Sequence, residues 1–156
     1  MKRTVIIGGV AGGMSAATRL RRLDEEMEIV ILEKGPYVSF ANCGLPYYVS
    51  GEISDRDQLL VQTPAALKAR FNLDVRPYSE AVKIDTTAKT VTVKNEEGSY
   101  DLEYTKLILS PGAKPFVPPL KGLEEAENVF TLRNVPDVDK IMASLENTQP
   151  KKAVVV

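Results

Sequence analysis

Three patterns in the sequence predict an α/β fold with a parallel sheet and an inserted antiparallel β-meander. A β-branched run, Thr4-Val5-Ile6-Ile7, is cut by a glycine cluster and followed by Met14, Ala17, Leu20 and Leu23 at helical spacing. That order reads as strand, tight turn and helix. A second apolar run, Glu28-Ile29-Val30-Ile31-Leu32, completes a βαβ unit, in which the two strands run parallel with a right-handed crossover. From Ala81 to Leu109 the pattern changes to period two between turn residues, the mark of a meander.

The remaining elements follow in order. Tyr37 to Ser50 is rich in glycine, proline and aromatic residues and predicts a loop running into a short helix with Pro46 near its first turn. Pro64 to Phe71 predicts a helix, and Asp74-Val75-Arg76 a third strand. Val82-Lys83-Ile84, Thr90-Val91-Thr92-Val93-Lys94 and Tyr100-Asp101-Leu102-Glu103-Tyr104 form a meander of about 81–104, with turns at Thr86-Thr87-Ala88 and Asn95-Glu96-Glu97-Gly98. Lys106-Leu107-Ile108-Leu109 predicts another buried strand, stopped by Ser110-Pro111-Gly112. A proline-rich stretch with Pro115, Pro118 and Pro119 leads to a helix from about Val135 to Leu145. Lys151-Lys152-Ala153-Val154-Val155-Val156 resembles residues 2–7 and predicts the opening strand of a second nucleotide-binding unit. The expected organisation is a domain over 1–112, a connecting segment over 113–150, and at 151–156 the first strand of a truncated domain.

With 156 residues, 44% of them apolar, the chain can bury a core, which excludes general disorder. Its 20 Lys and Arg against 21 Asp and Glu leave a formal charge of -1. Such a balance gives no whole-chain attraction for nucleic acid or an anionic membrane, and neither is expected as a partner. There is no histidine and one cysteine, Cys43, which excludes His-based triads, His- or Cys-clustered metal sites and an intrachain disulfide. No apolar run approaches the ~20 residues of a membrane-spanning helix. Met1-Lys2-Arg3 and the run after it imitate a secretory signal, but Gly8, Gly9, Gly12 and Gly13 interrupt the apolar stretch and Arg19, Arg21 and Arg22 follow at once. A lone cysteine without a structural partner fits a reducing, cytoplasmic setting.

Gly8-Gly9-Val10-Ala11-Gly12-Gly13 joins a strand to a helix, and Glu33 closes the second strand 20 residues after Gly13. That context makes the cluster a dinucleotide fingerprint. Gly8 allows the tight turn, Gly13 close packing of helix on sheet, and the helix N-terminus offers N–H groups to a pyrophosphate. Val10 stands where the middle glycine is usual, so the backbone there must tolerate a Cβ. A glycine turn without a nucleotide is the plainer reading; strand, helix and acid together argue against it. Cys43 has Asn42 and Gly44 as neighbours, not a packed apolar stripe, and a helix starting near Leu45 or Pro46 would put its sulfur beside a positive end that favours thiolate. Ser15, Arg19 and Arg22 fall on one helical stripe off the Met14, Ala17, Leu20 face. Two guanidiniums there suit phosphate, although a solvated face is the ordinary reading.

Three segments carry a more specific resemblance: Val5 to Ala17, Ser39-Phe40-Ala41-Asn42-Cys43-Gly44-Leu45-Pro46-Tyr47, and Leu107 to Pro115. The sequence resembles the flavoprotein pyridine nucleotide-disulfide oxidoreductases, most closely the single-cysteine branch of coenzyme A-disulfide reductases and CoA-dependent persulfide or polysulfide reductases. The resemblance implies a Rossmann-like FAD-binding domain with the pyrophosphate on Gly8, Gly9, Val10, Ala11, Gly12 and Gly13. It puts the ribose on Glu33 with Lys34 nearby, the adenine against the backbone of Val82, and the flavin near Ser110, Pro111 and Gly112. Asn42 and Arg133 match further cofactor-proximal positions, and NADH or NADPH would bind in the domain opening at 151. Coenzyme A contacts are implied at Ser15, Arg19, Arg22, Ser39 and Asn42, with Arg70 as a further basic contact. A homodimer is implied as well.

Two-cysteine relatives place their second cysteine where this chain has Tyr48. The resemblance therefore implies that the substrate supplies the second sulfur, with Cys43 cycling between thiolate and a mixed disulfide with coenzyme A, or a persulfide. Related NADH peroxidases and oxidases work through a cysteine sulfenic acid and carry a histidine where Ala11 stands here. A nucleotide-binding module without redox chemistry is the reading from a different class.

Overall fold

The computed structural model describes residues 2–156. The two apolar runs form β1 (Arg3–Ile7) and β2 (Glu28–Leu32), joined by α1 (Ala11–Leu23). With β3 (Asp74–Arg76) and β7 (Lys106–Leu109) they make a parallel sheet of order β3-β2-β1-β7. Strands covered on both faces read as unbroken apolar runs, and the packing shows why. Ile6, Ile29 and Ile31 point to one face with Met14, Ala17, Val38, Leu73 and Leu67, the last from α3 (Pro64–Phe71). Val5, Val30 and Leu32 point to the other, against Val91, Val93 and Leu102. Each such side chain, fully buried, contributes about 1.5–3 kcal/mol.

The residues on that second face come from the meander, β4 (Glu80–Asp85), β5 (Thr90–Asn95) and β6 (Gly98–Glu103), an antiparallel sheet of order β4-β5-β6. Its register shifts between Ala81 and Lys83, which leaves Val82 without a partner on β5, the signature of a β-bulge. The parallel sheet with its inserted meander is the fold class the sequence predicts.

Local chemistry sets the helix ends. Thr63 caps α3, its hydroxyl accepting from the Ala66 N–H at 3.2 Å, and Asn72 ends that helix in the left-handed region. Helix α4 (Val135–Thr148) starts at a capping box in which Asn134 and Asp137 exchange side chain-to-backbone bonds. It runs three residues beyond the expected Leu145, because nothing in Glu146-Asn147-Thr148 breaks a helix before Gln149 turns left-handed. A short helix, α2 (Leu45–Val49), and 3₁₀ turns at Asn42–Gly44 and Arg56–Leu59 complete the list.

The strand expected at 151–156 is not formed. Val154, Val155 and Val156 lie exposed without a ladder partner, and a strand without a neighbour leaves its backbone groups to water. The chain divides into two compact units, Met1–Phe40 with Leu60–Gly112, and Ala41–Leu59 with Ala113–Val156. The first holds both sheets, α1 and α3. The second gathers α2 and α4, so the 41–59 segment, expected inside 1–112, groups with 113–156 instead. Arg56 bridges the two segments of that unit, donating from Nε and Nη2 to the two carboxylate oxygens of Asp139 at 2.6 and 2.7 Å. Among the described residues, no helix is long and apolar enough to cross a membrane.

Candidate active site

In the first unit the turn after β1 is built around absent side chains. Gly8 has φ of +104°, and a Cβ on it would lie 2.0 Å from the Ser110 carbonyl oxygen. A Cβ on Gly13 would lie 1.8 Å from the carbonyl oxygen of Gly8, and one on Gly12 2.9 Å from the Ser110 hydroxyl. The sequence-predicted Gly8, Gly12, Gly13 and Ser110 therefore meet. Val10, in the usual place of a glycine, has a negative φ of -107°, so the turn does not require the left-handed backbone that favours glycine there. It caps α1 without a side-chain hydrogen bond, and the first turn holds no acidic residue. The opening N–H groups are thus left for an outside acceptor, and the helix dipole favours an anion. Gly112 takes φ of +70° just beyond Ser110 and Pro111.

Glu33 is held from four directions. Its Oε2 accepts the Gly9 N–H and its Oε1 the Gly35 N–H, both at 2.8 Å. Its own N–H donates to the Arg76 carbonyl at 3.0 Å, and its carbonyl accepts the Ser79 N–H at 2.8 Å. A carboxylate has about four acceptor positions, so two remain for hydroxyl donors. Lys34 beside it is exposed, and the Val82 side chain is half exposed.

Ser39 is a serine in the left-handed region, φ +48°. Its N–H donates to the Gly9 carbonyl at 2.8 Å and its carbonyl accepts the Val61 N–H at 3.0 Å, which ties it to the glycine turn at a strain of roughly 1–3 kcal/mol. Ser15, Arg19 and Arg22 are all exposed, as the stripe predicts. Arg70 is exposed in the last turn of α3, its guanidinium 5.2 Å from the Phe71 ring centroid.

Sequence reasoning did not single out Arg21, and the structure gives it a central place. Buried, it donates to the carbonyls of Asp24 and Glu25 at the end of α1 and of Phe71 and Asn72 at the end of α3. It thereby joins the helices that carry Arg22 and Arg70. The signal was present: residue 21 falls four after Ala17 and seven after Met14, so an arginine occupies the apolar stripe.

In the second unit Cys43 is a free, exposed thiol in the Asn42–Gly44 turn that leads into α2. Gly44 behind it is buried, and a Cβ there would press on Leu59 at 3.2 Å and Ile53 at 3.3 Å. Two predicted residues meet beside the cysteine in sequence: the Asn42 amide donates to the Arg133 carbonyl at 3.4 Å. Arg133 donates from Nε to Ala113 at 3.1 Å, and its N–H bonds Asp137 of the α4 cap at 3.0 Å. An exposed thiol with no second cysteine can exchange with a disulfide or persulfide from outside the chain.

The parallel sheet and the glycine turn between β1 and α1 define the class of fold, an α/β fold with an inserted meander. The family model described as pyridine nucleotide-disulphide oxidoreductase matches residues 2–156, and the chain belongs to that family. It is 40% identical to the coenzyme A disulfide reductase of Staphylococcus haemolyticus, over all of this chain and 35% of that protein. It therefore spans about a third of the length of the curated relatives it matches. The structure of reduced Bacillus anthracis CoADR-RHD superimposes with a TM-score of 0.93 at 55% identity, covering 96% of this chain and 27% of that one. An NAD-dependent persulfide reductase from A. fulgidus gives a TM-score of 0.89 at 39% identity, covering 94% of this chain and 27% of that one.

Proposed function

We propose that this chain is the FAD-binding part of an NAD(P)H-dependent reductase of coenzyme A disulfide, CoA persulfide or polysulfide, working through Cys43. The observation that carries the reading is the exposed thiol of Cys43, the chain's one cysteine, with Tyr48 where a disulfide partner would stand. The relatives named for coenzyme A disulfide and persulfide support the substrate class.

The residues fit a dinucleotide: a Cβ would fill the cradle at Gly8, Gly12 and Gly13, the first N–H groups of α1 are open to a pyrophosphate, and Glu33 keeps two acceptor positions for ribose hydroxyls. Val82 would meet the adenine through its backbone at the bulge, and Ser110, Pro111 and Gly112 would line the flavin end. FAD held there would supply an electron pair, taken as hydride from NADH or NADPH. The Cys43 thiolate attacks one sulfur of the CoA disulfide, and the first CoA thiolate leaves. The mixed disulfide then accepts the electron pair, which breaks its S–S bond, frees the second CoA thiolate and restores the Cys43 thiolate. Arg19 and Arg22, with Ser15, Ser39 and Arg70 of the same unit, would hold the phosphates and adenosine of coenzyme A. A cytoplasmic homodimer completes the proposal.

The test is made on the full-length protein. Mass spectrometry should find coenzyme A disulfide-linked to Cys43, and Cys43→Ser should abolish reduction of CoA disulfide and persulfide while the flavin stays bound. Turnover retained in that variant, or a stable sulfenic acid without coenzyme A, would overturn the mechanism; the latter would point to peroxide or oxygen reduction. A colourless protein that takes up no FAD would leave only a nucleotide-binding module.

A further inference from the structure

Glu33 and the Val82 bulge stand on different sheets of the first unit, Glu33 at the end of β2 and Val82 on β4. A polar cluster joins those sheets. Arg76, the last residue of β3, donates from Nε to both carboxylate oxygens of Asp74 at 3.2 and 3.1 Å, and from Nη2 to Oδ2 at 2.6 Å. Its Nη1 donates to the Tyr100 hydroxyl on β6 at 3.0 Å, and the guanidinium carbon lies 5.9 Å from that ring's centroid. The Arg76 carbonyl is also the acceptor for the Glu33 N–H. One residue therefore touches both the backbone of Glu33 and the sheet that carries Val82. The bond to Asp74 raises the guanidinium pKa above its already high ordinary value, so Arg76 stays charged.

Apart from a bond from Arg3 Nη1 on β1 to the Glu103 carbonyl at the far end of β6, at 3.2 Å, the rest of the contact between the sheets is apolar, with Val5, Val30 and Leu32 against Val91, Val93 and Leu102. Apolar burial is non-directional: it presses the sheets together without fixing how far one slides over the other. A planar guanidinium that grips a carboxylate and a phenol is directional. Glu33 is the group for which a small slide matters, because its two remaining acceptor positions must meet hydroxyls on a rigid sugar.

We propose that Arg76 is a positioning residue for ribose recognition, holding the meander against the end of β3 so that the Glu33 carboxylate stays aligned with a ribose 2′-hydroxyl. The proposal rests on the reading of the glycine cradle as a dinucleotide site. Its test uses the full-length protein freed of flavin and titrated calorimetrically with ADP and with 2′-deoxy-ADP. The wild-type protein should bind ADP about tenfold more tightly, the worth of one hydrogen bond to a charged acceptor. In Arg76→Met and in Tyr100→Phe that ratio should fall toward one. Arg76→Lys should not restore it, since an ammonium cannot hold both carboxylate oxygens and the phenol in one plane. Tyr100→Phe removes a single oxygen and keeps the test valid should Arg76→Met fail to fold. Variants that lose thermal stability but keep the tenfold ratio assign Arg76 a structural role only and overturn the proposal. A wild-type protein that binds neither ADP nor FAD overturns the cradle reading and this proposal with it.

Discussion

A methyl group on Gly13 would meet the Gly8 carbonyl oxygen at 1.8 Å, and one on Gly8 would meet that of Ser110 at 2.0 Å. Both obstacles are backbone atoms, which cannot swing aside as the end of a long side chain can. Gly13→Ala must therefore push α1 away from β1, and we expect it to cost about 3 kcal/mol and to abolish FAD retention. Gly51 is the control: its φ is +83° but nothing lies within 4 Å of an added Cβ, so Gly51→Ala should cost only the left-handed strain, about 1 kcal/mol. Equal urea midpoints for the two variants would contradict the steric account. The glycine turn was legible in the sequence because backbone freedom is a property of the residue itself. The role of Arg21 was not, since its acceptors Phe71 and Asn72 lie 50 and 51 residues away. The left-handed backbone of Ser39 was equally hidden, being imposed by Gly9 and Val61 rather than by serine.

Elements were legible where one local rule governs them. The 3.6-residue stripe of α1, the unbroken apolar runs of β1 and β2, and the period-two strands of the meander each follow from which face is buried. The 3₁₀ turn at Arg56–Leu59 escaped notice, because it is set by Asp55, whose carboxylate accepts the Asp57 N–H at 2.9 Å. The turn after β4 works the same way and offers a measurement. The Asp85 carboxylate accepts the N–H groups of Thr87 and Ala88 at 2.9 and 2.8 Å, and the Ala88 and then the Thr87 bond hold its pKa below the ordinary carboxylate range. A group whose pKa is lowered on folding stabilises the fold above its unfolded value, about 3.9, and loses that contribution as pH falls through the folded value. In Asp85→Asn the amide oxygen can still accept both bonds but does not titrate. The wild-type chain should therefore be the more stable at neutral pH, with the gap constant down to about pH 5 and closing below it. Thermal unfolding between pH 7 and pH 2 would show this, and a gap that ignores pH would mean that the charge contributes nothing to the turn.

At the scale of the whole molecule, the sequence reading divided the chain at 112 by order along the chain, whereas packing groups 41–59 with 113–156. No periodicity encodes which of two distant helices a segment will face. The second unit is assembled from partners far apart in sequence, Asn42 with Arg133 and Arg56 with Asp139, separated by 91 and 83 residues. If Arg56 and Asp139 help to define that unit, their interaction should appear as a coupling energy and not only as two separate losses. Both side chains are about a third exposed, so water screens the pair and the coupling should be small. Its two-pronged geometry places it near the upper end of the range for exposed pairs, about 0.5–1 kcal/mol. A double-mutant cycle with Arg56→Met and Asp139→Asn, read by chemical unfolding, measures it directly. In ~1 M salt, where the screening length falls to about 3 Å, the coupling should shrink. A coupling of zero at low salt would show that the 41–59 segment is held to α4 by apolar packing alone, and the charges would then be a consequence of the grouping, not its cause.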